Sequence, residues 1–116
     1  MRRFIRLVTG VCMLAGAGFG ATAERTTTMQ VAHGRQLYVA TGCQQCHGFV
    51  GQGTVGPRLA PGPIPLDLFT RQLRNPRGVM PVYTVVVMSN SDLADIYAYL
   101  NSIPQPAPAS AFPLLK

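Results

Sequence analysis

The feature that most constrains this chain is a run of three side chains, Cys43, Cys46 and His47, spaced as C-x-x-C-H. On a helical turn, residues i, i+3 and i+4 share one face, so the two thiols and the imidazole point the same way. Two thiols at this spacing can add across the two vinyl groups of a haem while the imidazole reaches the iron. The run therefore predicts one covalently bound haem c, with Cys43 and Cys46 as thioether links and His47 as an axial iron ligand.

Three other interpretations of the cysteine pair remain open. A redox-active disulfide usually begins a helix in a strand–helix–strand context, which is not evident here. A zinc site needs four ligands, but His33 is the only further histidine, and the adjacent Cys46 and His47 fit one tetrahedron poorly. The spacing can also arise by chance in an exported chain. The histidine directly after the second cysteine favours haem over all three.

The first 23 residues predict an export signal. Three arginines within the first six residues precede an uncharged, mostly apolar stretch, and small residues lead up to Ala23. The uncharged run is 17 residues long, which is short for a membrane span of about 20 apolar residues. We expect residues 1–23 to be a signal peptide cleaved near Ala23, which leaves a periplasmic protein without a membrane span. A retained anchor is the alternative.

The net charge of +6 does not point to a nucleic acid. Three of the positive charges belong to the predicted signal. The chain from Glu24 onward carries seven basic and four acidic residues, a net of +3. It also lacks the interleaving of aromatic and basic residues that nucleic-acid binding favours. We therefore expect no nucleic-acid partner.

A second axial ligand is expected, and Met80 is the preferred candidate. Haem iron in electron carriers commonly binds a methionine thioether opposite the histidine. The glycine and prolines around Met80 favour an extended loop that can lay its side chain against the iron. Met88 has a structural explanation instead, because Ser89 and Asp92 form a predicted capping box beside it. His33, or an open site, is the remaining alternative.

These motifs occur in the order typical of class I cytochromes c, the small monohaem family that the chain resembles over residues 28–103. The resemblance implies an all-α, cytochrome c-like fold with three main helices plus loops wrapped around one covalently attached haem. It also implies that the Pro57 carbonyl contacts the second nitrogen of His47. The proline-rich stretch 60–65 is short for the family. The matching segments are His33–Tyr38, Cys43–Gly48, Gly51–Gly53, Gly56–Leu59, Met80-Pro81 and Ala98–Leu100.

Local patterns predict helices over residues 28–40, 66–75 and 90–102. In the family, a glycine at the position of Gly34 lets the first and last helices cross closely. Val85–Val87 is interpreted as a buried extended segment, because partner strands are scarce. The predicted organisation is a signal peptide (1–23), an N-terminal extension (24–27), a cytochrome c domain (28–103) and a proline-rich C-terminal tail (104–116).

Four arginines, Arg58, Arg71, Arg74 and Arg77, lie on segments expected to line the haem. They can pair with the haem propionates, form a docking patch for an acidic partner, or simply face solvent. Arg58 and Arg74 are the preferred candidates for propionate contacts.

The resemblance implies an electron carrier rather than an enzyme. Its partners would be redox proteins such as a dehydrogenase, an oxidase or another cytochrome. A dedicated cytochrome subunit of a periplasmic dehydrogenase or oxidase complex is the second hypothesis. A peroxidase or gas sensor with a labile Met80 is the third.

Overall fold

Four α-helices follow one another along the part of the chain that the structure, a computed structural model, describes. It describes the backbone of residues 19–115 and the side chains of residues 27–114. Residues 1–18, which hold most of the predicted signal peptide, lie outside the described residues. The helices are α1 (Phe19–Ala40), α2 (Cys43–His47), α3 (Leu66–Arg74) and α4 (Asn90–Ser102), followed by 3₁₀ turns at Ala109–Ala111 and Pro113–Leu115.

Residues 19–115 contain no strand, which confirms the all-α class. The predictions for α3 and α4 agree with the structure to within one residue at each end. Helix α1 begins at Phe19, nine residues before its predicted start. Between Ala21 and His33 it contains no glycine or proline, which allows the helix to extend ahead of residue 28. No helix in the described range is both long enough and apolar enough to cross a membrane.

Helices α1 and α4 cross in direct contact at Gly34. A Cβ atom at this buried position would collide with the backbone carbonyl of Asp95, so only glycine fits without a shift. His33, beside it, places Nδ1 2.8 Å from the carboxylate of Asp95. On the same face, the rings of Tyr38 and Tyr99 pack with centroids 5.5 Å apart. The predicted close crossing at Gly34 is confirmed.

The hydrophobic core lies between α1, α3 and α4. Helix α3 joins it through Phe69, whose ring centroid lies 5.5 Å from that of Tyr97 on α4. Helix α3 therefore packs one apolar face, which carries Phe69 and Leu73, against the core. The buried apolar residues of the core are Tyr38, Ala60, Phe69, Leu73, Met88, Leu93, Ile96, Tyr99 and Leu100.

The start of α4 is fixed by the predicted capping box. The hydroxyl of Ser89 accepts from the Asp92 backbone N–H, and the Asp92 carboxylate accepts from the Ser89 backbone N–H. The Ser89 hydroxyl also donates to the Asp92 carboxylate at 2.8 Å. This bond, together with the one from the Ser89 backbone N–H, holds the pKa of Asp92 below its usual value. Met88 and Leu93 are both buried beside the box, as a hydrophobic staple requires. Met88 is thereby a core residue.

The prediction of a buried extended segment at Val85–Val87 is wrong. The three valines form an exposed turn, with Val86 92 % exposed. The carbonyl of Thr84 accepts from the backbone N–H groups of Val87 and Met88, at 3.1 and 2.9 Å. The turn reverses the chain so that Met88 points into the core, and this leaves the valines at its tip.

The segment after α4, residues 104–108, has no regular secondary structure and is exposed.

Replacing Gly34 with alanine tests the helix crossing. The added methyl meets the Asp95 carbonyl, so we expect Gly34→Ala to lower the free energy of unfolding by about 2 kcal/mol, the middle of the range for overpacking. The measurement is thermal or denaturant unfolding of the purified protein. Gln36→Ala, at an exposed position of α1, is the control and should have little effect. An unchanged stability for Gly34→Ala would show that the helices do not cross here.

Candidate functional site

Helix α2 is a single turn that carries the three side chains of the C-x-x-C-H run. It begins after Gly42, whose φ of 82° lies in the left-handed region that glycine adopts at little cost. Cys43 is half-buried, Cys46 is exposed, and His47 is only 8 % exposed. Both cysteines are free thiols. The turn thus presents two unpaired thiols and a buried imidazole within five residues.

A hydrogen bond fixes the imidazole of His47. Its Nδ1 lies 2.8 Å from the backbone carbonyl oxygen of Pro57, the contact that the family resemblance implies. A carbonyl oxygen can only accept, so Nδ1 carries the proton, and in the neutral ring Nε2 keeps its lone pair. That tautomer binds a metal ion through Nε2, while the bond at Nδ1 holds the ring in place. His47 is therefore prepared as a ligand.

The loop after α2 folds back onto the helix and brings the Pro57 carbonyl to His47. The backbone N–H of Gly56 and the hydroxyl of Thr54 both donate to the carbonyl of Cys46, at 2.7 and 2.6 Å. A Cβ atom at Gly56 would lie 2.9 Å from Cε1 and 3.0 Å from Nδ1 of the imidazole. The absence of a side chain at position 56 therefore allows the close approach.

Two tyrosines from the helix crossing hold the segment that leaves His47. The hydroxyl of Tyr38 on α1 donates to the carbonyl of Gly48 at 2.8 Å. The hydroxyl of Tyr99 on α4 donates to the carbonyl of the next residue, Phe49, at 2.9 Å. Burial raises the pKa of Tyr38 far above its usual value, so its hydroxyl stays a donor. The crossing of α1 and α4 thus fixes the position of the segment that follows α2.

Cys43 lies in a partly apolar environment. Burial raises the pKa of its thiol, although hydrogen bonding with Thr41 and Tyr83 opposes the shift. The hydroxyl of Thr41 is 3.4 Å from Sγ. Burial therefore disfavours a charged thiolate at Cys43, and a neutral thioether fits these surroundings. Within residues 19–115, no three His, Cys, Asp or Glu side chains are grouped as a metal-ion site.

Met80 lies on the loop between α3 and α4. It is half-buried and packs against the core. Its sulfur accepts a hydrogen bond from the side-chain amide of Gln72 on α3, at 3.6 Å. The backbone N–H of Tyr83 donates to the Leu73 carbonyl at 2.9 Å, and the Tyr83 hydroxyl donates to the carbonyl of Thr41 at 2.9 Å. Tyr83 thus ties the loop both to α3 and to the segment before α2.

Arg74 is part of the same framework. Its guanidinium donates to the carbonyls of Tyr83 and Met88, at 2.7 and 2.9 Å, and to the side chain of Asn90 at 2.8 Å. These bonds join α3 to the start of α4 and give Arg74 a structural role. A propionate contact at Arg74 stays a prediction.

The other arginines lie at the surface. Arg71 pairs with Asp67 at 2.9 Å, and both side chains are mostly exposed, so the pair contributes little stability. Arg77 lines an open groove of about 510 Å³ together with Arg71 and Arg74. Arg58 is exposed, and its propionate contact also stays a prediction.

The sequence analysis did not identify Gln72 and Tyr83 as site residues. Gln72 is eight residues from Met80, and Tyr83 is 42 residues from Thr41. No local pattern indicates such pairs. The aromatic residue three positions after Met80 was the only available signal.

A family model described as "Cytochrome C oxidase, cbb3-type, subunit III" matches residues 29–100. The match begins within α1 and ends within α4, so it includes α2, α3 and the Met80 loop. No curated protein and no solved structure matches the chain.

Replacing Gly56 with alanine tests whether the loop positions the imidazole. The methyl would push on the ring, so we expect Gly56→Ala to break the bond between His47 and Pro57 and to lower stability by about 1–3 kcal/mol. The Nδ1–H proton resonance of His47 in NMR spectra, together with thermal unfolding, measures both effects.

Gly62→Ala is the matched control. Gly62 has a φ of 75° but open space around it, so alanine there strains the backbone without touching His47. If Gly56→Ala leaves the His47 resonance unchanged, the loop does not determine the orientation of the ring.

Proposed function

The chain belongs to the family described as cytochrome c oxidase, cbb3-type, subunit III, a family of c-type cytochrome domains, and on this premise we propose that it is a periplasmic monohaem c-type cytochrome. It transfers single electrons between redox partners through an iron bound by His47 and Met80. A domain of this family indicates haem-based electron transfer. Such domains are typical of electron carriers rather than of catalytic enzymes.

The observation that carries the proposal is the state of His47. Its ring is buried, its Nδ1–H is held by Pro57, and its Nε2 lone pair is available, directly after two free thiols on the same helical turn. A histidine that only filled the core would not need this arrangement of neighbours. The donor set of two thiols and one neutral imidazole fits haem c, with Cys43 and Cys46 as the covalent links.

The protein's own residues hold the ligands still. Haem, when bound, supplies an iron that changes between the ferrous and ferric forms. Pro57 fixes the His47 ring, and Tyr38 and Tyr99 fix the segment that follows it. Tyr83 fixes the Met80 loop. Both ligands are neutral and held by the fold, so little has to move when an electron arrives or leaves.

The proposed location depends on residues 1–23. Three arginines, an uncharged stretch and a small-residue site at Ala23 support export and cleavage. Covalent haem attachment through Cys43 and Cys46 is consistent with an exported protein.

The family description favours a second candidate, a dedicated cytochrome subunit of a periplasmic dehydrogenase or oxidase complex. Its haem site would be the same as that of a free carrier. The difference is that a subunit would exchange electrons within one permanent complex. Size-exclusion chromatography of the native protein separates the two. A free carrier elutes as a monomer from the soluble fraction, whereas a subunit elutes with a large complex from solubilised membranes.

Replacing Met80 tests the proposed axial ligand. We expect Met80→Ala to remove the weak band at the red edge of the ferric spectrum, which is assigned to charge transfer between the thioether and the iron. The reduction potential should also fall, because a thioether ligand raises it. The measurements are visible absorption and redox titration.

Met29→Ala is the control, since Met29 is an exposed thioether on α1. It should leave the band and the potential unchanged. A band that survives Met80→Ala would show that another residue binds the iron.

A further inference from the structure

Gln72 is a polar side chain on α3 that contacts the sulfur of Met80. Its Nε2 lies 3.6 Å from Sδ, a hydrogen-bond distance for the large sulfur atom. A thioether carries no hydrogen, so the amide donates and the sulfur accepts. Each thioether sulfur has two lone pairs, so one can accept this bond while the other binds a metal.

Gln72 is half-buried and lies at the edge of the apolar face of α3. It is three residues after Phe69, which is buried, and residues three apart share one face of a helix. It also lines the open groove together with Arg71 and Arg74. At this edge the amide reaches the sulfur of Met80.

Both sides of this contact are held by the same framework. The carbonyl of Leu73, the residue after Gln72, accepts from the backbone N–H of Tyr83. Arg74 donates to the carbonyl of Tyr83, three residues after Met80. Helix α3 and the Met80 loop are thus fastened together within three residues of each partner. These bonds hold the two segments that carry the amide and the sulfur next to each other.

We propose that Gln72 is a positioning residue for the axial sulfur, which orients one lone pair of Met80 and raises the reduction potential. The proposal rests on the proposed function, in which Met80 binds the iron. The direction of the change in reduction potential follows from the electronic effect of the hydrogen bond on the sulfur. An N–H group that withdraws density from sulfur makes it a weaker donor, and the ferric ion loses more from a weaker donor than the ferrous ion does. The bond therefore favours the reduced form.

The experiment uses the haem-loaded protein with Gln72→Leu, which removes the donor, and Gln72→Glu, which at neutral pH replaces it with a charged acceptor. Only part of the energy of a neutral hydrogen bond differs between the two oxidation states, so the expected effect is modest. We expect Gln72→Leu to raise the ratio of oxidised to reduced protein at a fixed potential about threefold, or about 30 mV at about 59 mV per tenfold change. Gln72→Glu should lower the potential further.

Gln36→Leu and Gln36→Glu are the matched controls, since Gln36 is an exposed glutamine on α1. They reproduce the changes in size and charge away from the sulfur and should leave the potential unchanged. The red-edge band is recorded for every variant. A role confined to stability would lower the unfolding temperature of Gln72→Leu without moving the potential.

The outcomes separate the two proposals. If Gln72→Leu keeps the band and the potential does not move, the role of Gln72 is overturned while Met80 remains the ligand. If the band is already absent from the unmutated protein, the ligand assignment fails and the inference fails with it.

A measurement on the unmutated protein covers the case in which the variants do not fold. The side-chain amide protons of Gln72 should exchange with solvent more slowly than those of Gln36. Equal exchange rates would overturn the hydrogen bond to sulfur.

Discussion

The close crossing of α1 and α4 at Gly34 is the constraint on which the rest of the structure depends. The helices touch backbone to backbone because position 34 has no side chain. Tyr38 and Tyr99 then lie side by side, and their hydroxyls reach the two consecutive carbonyls that follow His47. The position of the imidazole is thus set by a contact between the two ends of the folded domain. A single-turn helix such as α2 could not hold its own orientation without this support.

A second framework serves the other candidate ligand. Tyr83 joins the Met80 loop to α3 through its backbone and to Thr41 through its hydroxyl, while Arg74 fastens the same loop to the start of α4. The two frameworks meet at the segment before α2, where Thr41 also contacts the thiol of Cys43. Each of the two predicted iron ligands therefore has one hydrogen bond to its side chain, and hydrogen bonds of nearby residues hold the segment that carries it. A site with that property suits electron transfer, because rigid ligands reduce the rearrangement that accompanies a change of charge.

The sequence was sufficient to predict the features that depend on short-range patterns. The spacing of Cys43, Cys46 and His47 predicts one helical turn, and the apolar stripe predicts α4. Ser89 and Asp92 predict the cap. The exposed valine turn was not predicted, because three consecutive valines favour a strand unless a reversal at Thr84 is recognised. The bonds of Gln72 and Arg74 depend on tertiary contacts between segments whose spacing the sequence does not specify. The link between His47 and Pro57 was foreseen only through the resemblance to a family.

The central claim is that Cys43 and Cys46 hold one haem by covalent thioether links and that His47 binds its iron. The most direct measurement is the mass of the mature protein, purified from a host that attaches haem to exported proteins, together with its pyridine haemochrome spectrum. We expect the mass of the chain from Glu24 plus one haem, and the spectrum of a haem with both vinyl groups saturated. A mass equal to that of the bare polypeptide, with a disulfide between Cys43 and Cys46, would contradict it.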